Sequence, residues 1–336
     1  MYTAEQTDVG PLVNIYDLSG PDPVRVGFYS ENGQDPFSVA LLSTSLFVGT
    51  EEGLLTLDVS NPASPSKVSS VAVPSSAVAI FGHHLFSGTT DNRLVVFDVS
   101  NPASPQQVGQ KSLPDFPVNV WAAGNLLLIA DNTAGLLVYG ISNPSNPTLL
   151  SRFQPPGSSA TVDVTVDGNL ALLAAADGGL VIVDIGNPSS PVLLSQTDLA
   201  LVGGPGAAAM SVAVNRGIAF VGGVNTTYGA AFGFDYKVPA HPRLVSTMSY
   251  GGALDEAPLD FAFYGSQMFV GGNLFAVADR RSDITQPRNV INLYYPALVG
   301  GSGSLRNVKP PRVAMHPKLK KARNIRSRQR PLNHGH

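Results

Sequence analysis

Leu180 to Pro191 reads LVIVDIGNPSSP, and the same phrase returns down the chain. Leu12 to Pro23 reads LVNIYDLSGPDP, Leu54 to Pro65 LLTLDVSNPASP, Leu94 to Pro105 LVVFDVSNPASP and Leu136 to Pro147 LLVYGISNPSNP. Looser copies stand at Ala231 to Pro242 (AFGFDYKVPAHP) and Leu274 to Pro287 (LFAVADRRSDITQP). The first proline of each copy falls at Pro21, Pro62, Pro102, Pro144, Pro188, Pro239 and Pro287, giving steps of 41, 40, 42, 44, 51 and 48 residues. Self-similarity at this period marks stacked supersecondary units.

Working outward from one copy shows what the unit contains. Around Leu94–Val99 lie the apolar runs Val78–Phe81 and Leu85–Gly88, the turn Gly82-His83-His84 and a fourth run from Gln107 to Gln110. Short β-rich runs broken by Gly, Asn, Asp and Pro read as strands joined by hairpins. Four such strands in about 40–45 residues make one propeller blade. Leu94, Val95, Val96 and Phe97 are apolar without alternation. That pattern belongs to a strand covered on both faces, so single units cannot fold alone.

The Asp-x-Ser-Asn-Pro phrase that follows is turn chemistry. Asp58, Asp98 and Asp184 end their strands, and Asn61, Asn101 and Asn187 are placed to bond backbone two residues on. Pro62, Pro102 and Pro188 fix φ and donate nothing to a ladder, so pairing stops there. These residues are expected to be structural.

The run LVIVDIGNPSSP resembles the LVIVD repeat, a β-propeller repeat common in bacterial and archaeal proteins, many of them secreted or attached to the surface. The resemblance covers residues 12–295 and implies architecture only; it carries over no catalytic residue. The expected fold is all-β: a propeller of six complete four-stranded blades plus an N-terminal half blade, in a six- or seven-fold ring. Inner hairpins are expected at Phe37–Gly49, Val78–Gly88, Val118–Ala130, Val162–Ala174, Met210–Gly222 and Leu259–Gly271. Residues 1–11 read as a lead-in, 12–295 as the propeller and 296–336 as a basic, disordered tail.

Composition fits this reading. Charged residues are 13% of 336, with 34 Gly, 27 Pro and no Cys. Thiolate catalysis and cysteine metal sites are therefore excluded, and no apolar stretch reaches the length of a membrane span. From Leu305 to His336 there are ten Lys and Arg and no Asp or Glu, leaving 11 basic against 24 acidic residues in 1–304. Such a tail suits an anionic partner, but it lacks the aromatics that stack on bases, which disfavours nucleic acid. Met1–Gly10 has no signal-peptide pattern. An extracellular or cell-envelope location is nevertheless expected from the resemblance and the charge-poor composition, with the signal missing from this chain; the cytoplasm is the alternative.

The sequence offers no catalytic constellation and no phosphate loop, and calls for no cofactor. Loops on one face of the propeller carry Glu31, Asp35, Glu51, Glu52, Asp91, Asp115, Asp131, Asp177, Asp255 and Glu256. If Glu51, Glu52, Asp91, Asp131, Asp177, Asp255 and Glu256 converged, they would suit Ca2+, which takes six to eight oxygens. The simpler reading is hairpin geometry, which Asp tolerates. Trp121, the single tryptophan, reads as core. The expected function is a non-enzymatic, monomeric binding module for protein or glycan. The alternative is a lactonase-like, metal-assisted hydrolase working in the central channel.

Overall fold

The computed structural model describes residues 1–7, 10–19, 24–31, 36–224, 229–250, 260–264, 267–271, 275–279 and 292–294. The tail 296–336 and residues Asp35, Asp255 and Glu256 lie outside the described residues. Among the described residues there are six four-stranded antiparallel sheets and one three-stranded sheet, with a single helical turn at Ala200–Gly203. The architecture is a β-propeller.

The N-terminal sheet pairs Tyr2–Thr7, Gly10–Asp17 and Val24–Ser30 in that order. Blade 1 holds Pro36–Leu42, Ser45–Thr50, Leu54–Asp58 and Ser66–Val71. Blade 2 holds Ser75–Phe81, His84–Thr89, Arg93–Asp98 and Gln106–Ser112. Blade 3 holds Asn119–Ala123, Leu126–Ala130, Leu136–Gly140 and Thr148–Phe153. Blade 4 holds Asp163–Asp167, Leu170–Ala174, Leu180–Asp184 and Val192–Thr197. Blade 5 holds Ala208–Asn215, Ile218–Val224, Gly229–Asp235 and Arg243–Tyr250, and blade 6 holds Asp260–Tyr264, Gln267–Gly271, Phe275–Asp279 and Asn292–Tyr294. Each blade runs from inner to outer strand in chain order, and neighbouring blades bring their inner strands together.

The unbroken apolar run of each third strand divides between two neighbours. In blade 2, Val95 and Phe97 pack with Phe47 and Leu54 of blade 1. Leu94 and Val96 pack with Val120, Leu127 and Ile129 of blade 3. All four side chains are fully buried, and each contributes about 1.5–3 kcal/mol by leaving water. Outer strands face solvent, so Gln106–Ser112 is mostly polar and exposed. In every pair of third and outer strands up to blade 5 the register slips at one place, as between Val96 and Phe97 or Ile182 and Val183.

The turns are built by side chains. Asp58 Oδ1 accepts from Ser60 N at 2.8 Å and Asn61 Oδ1 from Ala63 N at 3.2 Å. Asp98 with Asn101, and Asp184 with Asn187, repeat the arrangement. The same turns also latch the blades. Ser69 Oγ donates to Pro102 O at 2.9 Å, Ser151 Oγ to Pro188 O at 2.6 Å and Ser195 Oγ to Pro239 O at 2.6 Å. In each case an outer strand grips the proline carbonyl of the next blade's turn. At the equivalent positions Gly27 and Gly109, a Cβ would sit 1.9 Å from Pro62 O and 2.1 Å from Ser145 O, so the backbones themselves meet.

One part of the N-terminus differs from the sequence reading. The lead-in 1–11 contains the strand Tyr2–Thr7, which pairs with Gly10–Asp17 from Tyr2↔Ile15 to Thr7↔Gly10. Its polar sequence YTAEQT hides it from pattern reading. The N-terminal sheet docks on blade 1 as a blade would, with Val13 and Ile15 against Leu46, Val48, Leu55 and Leu57.

Ser151→Ala is expected to lower the unfolding free energy by about 0.5–1.5 kcal/mol, the usual worth of one hydrogen bond. Gly109→Ala should destabilise more, because its Cβ meets backbone. Urea titration of the two variants checks the order.

Candidate functional site

Four of the loop carboxylates, Asp91, Asp115, Asp131 and Asp177, are held by local hydrogen bonds. Asp91 accepts from Thr89 Oγ1 at 2.6 Å and pairs with Arg93 Nη2 at 2.8 Å. The Arg93 hydrogen bonds, then that of Thr89, hold its carboxyl below the usual range. Asp115 Oδ2 accepts from Asn132 Nδ2 at 2.9 Å and Thr133 N at 3.2 Å, while Asp131 Oδ2 accepts from Asp115 N at 3.0 Å. Asp177 Oδ1 accepts from Ser159 N at 2.7 Å and Ser159 Oγ at 2.6 Å. Glu51 and Glu52 are exposed at a bend in blade 1. No group of three or more His, Cys, Asp or Glu among the described residues could hold a metal ion.

Glu31 forms a different small network. It accepts from Tyr29 Oη at 2.6 Å and Lys67 Nζ at 2.7 Å, joining the N-terminal sheet to blade 1. Lys67 first and Tyr29 second lower the Glu31 pKa, while burial and Glu31 push Tyr29 up to about 12.

The inner wall carries more distinctive chemistry. In register, the inner strands present Ser38, Ala77, Asn119, Asp163 and Ser211 at one level. One strand step further on the same face come Ala40, Ala79, Trp121, Thr165 and Ala213. The intervening residues Val39, Val78, Val120, Val164 and Val212 pack between blades. Ser38 Oγ accepts from Val78 N of the next blade at 3.2 Å, and Asp163 Oδ2 from Val212 N at 2.9 Å. Asn119 is placed to cap Val164 N in the same way, but Asp163 Oδ1 takes that donor at 2.9 Å. The buried Asn119 Oδ1 atom is left without a hydrogen-bond partner.

Trp121 departs from the sequence reading. It is 37% exposed and belongs to none of the packed clusters. Alanine fills the equivalent position in blades 1, 2 and 5. Period-two alternation could show that Trp121 shares a face with those alanines, but not that the face is open. Asn119 and Trp121 stand two residues apart on one strand face, about 7 Å along it.

At acid pH the Glu31 network should weaken the junction of the N-terminal sheet with blade 1. Its folded pKa lies below the ordinary 4.5. The contribution is therefore present above 4.5 and disappears as pH falls through the lower folded value. Thermal melts from pH 6 downward should show an acid-sensitive component that Glu31→Gln removes.

The LVIVD repeat matches residues 38–73, 75–111, 118–154 and 158–198, which follow blades 1 to 4. No curated protein matches the chain. Among solved structures it is similar to a Lactobacillus plantarum protein at 14% identity, covering 88% of this chain and 95% of that one, with a TM-score of 0.71. It is similar to the periplasmic gluconolactonase PpgL of Pseudomonas aeruginosa at 17% identity, 82% and 89% coverage and a TM-score of 0.68. Chaetomium thermophilum Sqt1, solved bound to the N-terminus of ribosomal protein L10, is 13% identical with 80% and 78% coverage and a TM-score of 0.61. At these identities the likeness is one of fold. The repeat matches in blades 1 to 4 and the six four-stranded sheets make the chain a β-propeller that is similar to LVIVD-repeat proteins over those four blades.

Proposed function

We propose that this protein is a non-enzymatic binding module whose protein or glycan ligand meets the inner wall at Trp121. The observation that carries this reading is an exposed indole among small side chains. An aromatic face offers a large contact at low entropic cost, to a sugar ring or to an apolar side chain. Asp91, Asp115, Asp131 and Asp177 are engaged in local hydrogen bonds, which favours binding over a hydrolysis driven by these carboxylates. Sqt1 gives the fold a precedent for holding a peptide end, and PpgL gives it one for lactone chemistry. The charge-poor surface supports a working place in the cell envelope or outside the cell.

Trp121 is the single tryptophan, so its fluorescence reports ligand directly. Screening against glycan and peptide panels should yield a ligand that shifts this emission. Trp121→Ala should then weaken binding by at least about tenfold, the scale of an aromatic hot spot. Unchanged affinity in Trp121→Ala would sink the site. Turnover of an aldonolactone by the wild-type chain, abolished by a chelator, would favour the hydrolase instead.

A further inference from the structure

Burial along the inner strands runs in one direction. In blade 3 exposure rises from Val118 at 5% to Trp121 at 37%, and Ala123 beyond it is exposed. Blade 4 runs from a buried Val162 to an exposed Asp167, and blade 2 from a buried Ser76 to Phe81 at 37%. Blade 5 repeats the gradient more weakly, from a buried Met210 to a half-buried Asn215.

The buried end is built by one extra residue. The ladder between inner and second strands skips Ser76 in blade 2 and Met210 in blade 5. Val118 and Val162 stand at the same place, where Val118 N donates to Ala130 O at 2.8 Å and Val162 N to Ala174 O at 2.9 Å. A bulged residue leaves the regular alternation of side chains. Val118 and Val162 accordingly join Ala209 of blade 5 in one buried cluster that spans three blades. Ser76 Oγ ties blade 2 to blade 3 by donating to Pro117 O at 2.8 Å. Among the described blades the loop end of the inner wall is therefore sealed. The open end lies on the face of the Asp-Asn-Pro turns, opposite to the loop carboxylates.

The inner strands also carry one sign of charge. In all six, the charged residues are Asp163, Asp167 and Asp260, with no Lys, Arg or His. Asp163 accepts from Val164 N and Val212 N, both at 2.9 Å, an arrangement that suits a carboxylate. Asp167 is exposed at the open end, where Tyr236 Oη donates to its Oδ2 at 2.6 Å. A cleft lined by one sign of charge between low-dielectric walls concentrates the opposite sign. The face of an exposed indole attracts cations as well.

We propose that the inner wall is a blind well open on the turn face, and that it takes the cationic end of a peptide. The inference rests on Trp121 as the binding site and adds the charge of the ligand and its direction of approach. A closed floor admits a chain end and refuses a strand threaded through. A terminal amine or a terminal Arg or Lys then meets Trp121 and Asp167 together, whereas a neutral or anionic sugar gains nothing from the carboxylates.

Trp121 is the single tryptophan, so quenching of its emission reads the well directly. Relative to free N-acetyltryptophanamide, caesium should quench Trp121 at least about threefold more effectively than iodide at matched ionic strength. Asp167→Asn still accepts from Tyr236 but drops the charge, so it should bring the two quenchers closer together without moving the melting temperature. Equal quenching by caesium and iodide in the wild type overturns the cationic ligand. The direction of approach has its own test, because the chain has no cysteine. A bulky maleimide on Ala123→Cys should cut acrylamide quenching of Trp121 by about twofold or more, while the same label on Glu52→Cys at the loop face should not. Equal shielding by both labels, or by neither, overturns the blind well. Of two peptides that differ only in a terminal arginine or uncharged citrulline, the arginine form should bind about tenfold tighter. Equal affinities that Trp121→Ala weakens overturn the charge assignment and leave Trp121 as the site. Affinities that Trp121→Ala leaves unchanged remove the site, and this inference with it.

Discussion

The fold depends on third strands that are apolar on both faces. A sheet with such a strand at its centre has no stable existence with either side wet. Stacking a second sheet on it merely moves the exposed surface along by one unit. Leu94 and Val96 look one way while Val95 and Phe97 look the other, so each blade is at once floor and roof. The requirement ends only where the stack meets itself, which is why these repeats belong in a ring rather than in a short array.

Against that background the polar features take different roles. The Asp and Asn of each turn hold a tight corner, and the proline carbonyl they present becomes an acceptor for the blade before. Apolar packing between β-sheets tolerates sliding; a serine hydroxyl aimed at one carbonyl does not. The latch therefore sets the angular relation of successive blades that the hydrophobic clusters only bring together. Where Gly109 replaces serine, direct backbone contact does the same positioning.

Much of this was legible in the chain itself. The period and the unbroken LVVF and LVIV runs specify stacked blades before any coordinate is known. The strand Tyr2–Thr7 was not legible, because YTAEQT is polar and its identity comes from its partner Gly10–Asp17. The serine latch was hidden for a related reason: donor and acceptor lie 33 to 44 residues apart in three different blade pairs. Asp91 and Asp177 could be read as hairpin residues, although not which partners they hold. Trp121 misled, since an aromatic residue on a β-strand is usually covered. Its exposure depends on which strands stand beside it, Ala79 in blade 2 and Thr165 in blade 4 being the equivalent residues, and no single strand encodes that.

The slip between third and outer strands has a consequence for solubility. Each blade ends in an outer strand whose free edge points away from the axis, and several carry exposed apolar residues such as Val68, Val108 and Leu193. A straight edge with such residues is a template for another chain and a route to aggregation. The extra residue at each slip bends and twists the strand locally, so an incoming partner finds no continuous run of aligned donors and acceptors. The irregularity recurs from the N-terminal sheet to blade 5. A chain with few surface charges to repel its neighbours thus carries its protection against fibre formation in its backbone.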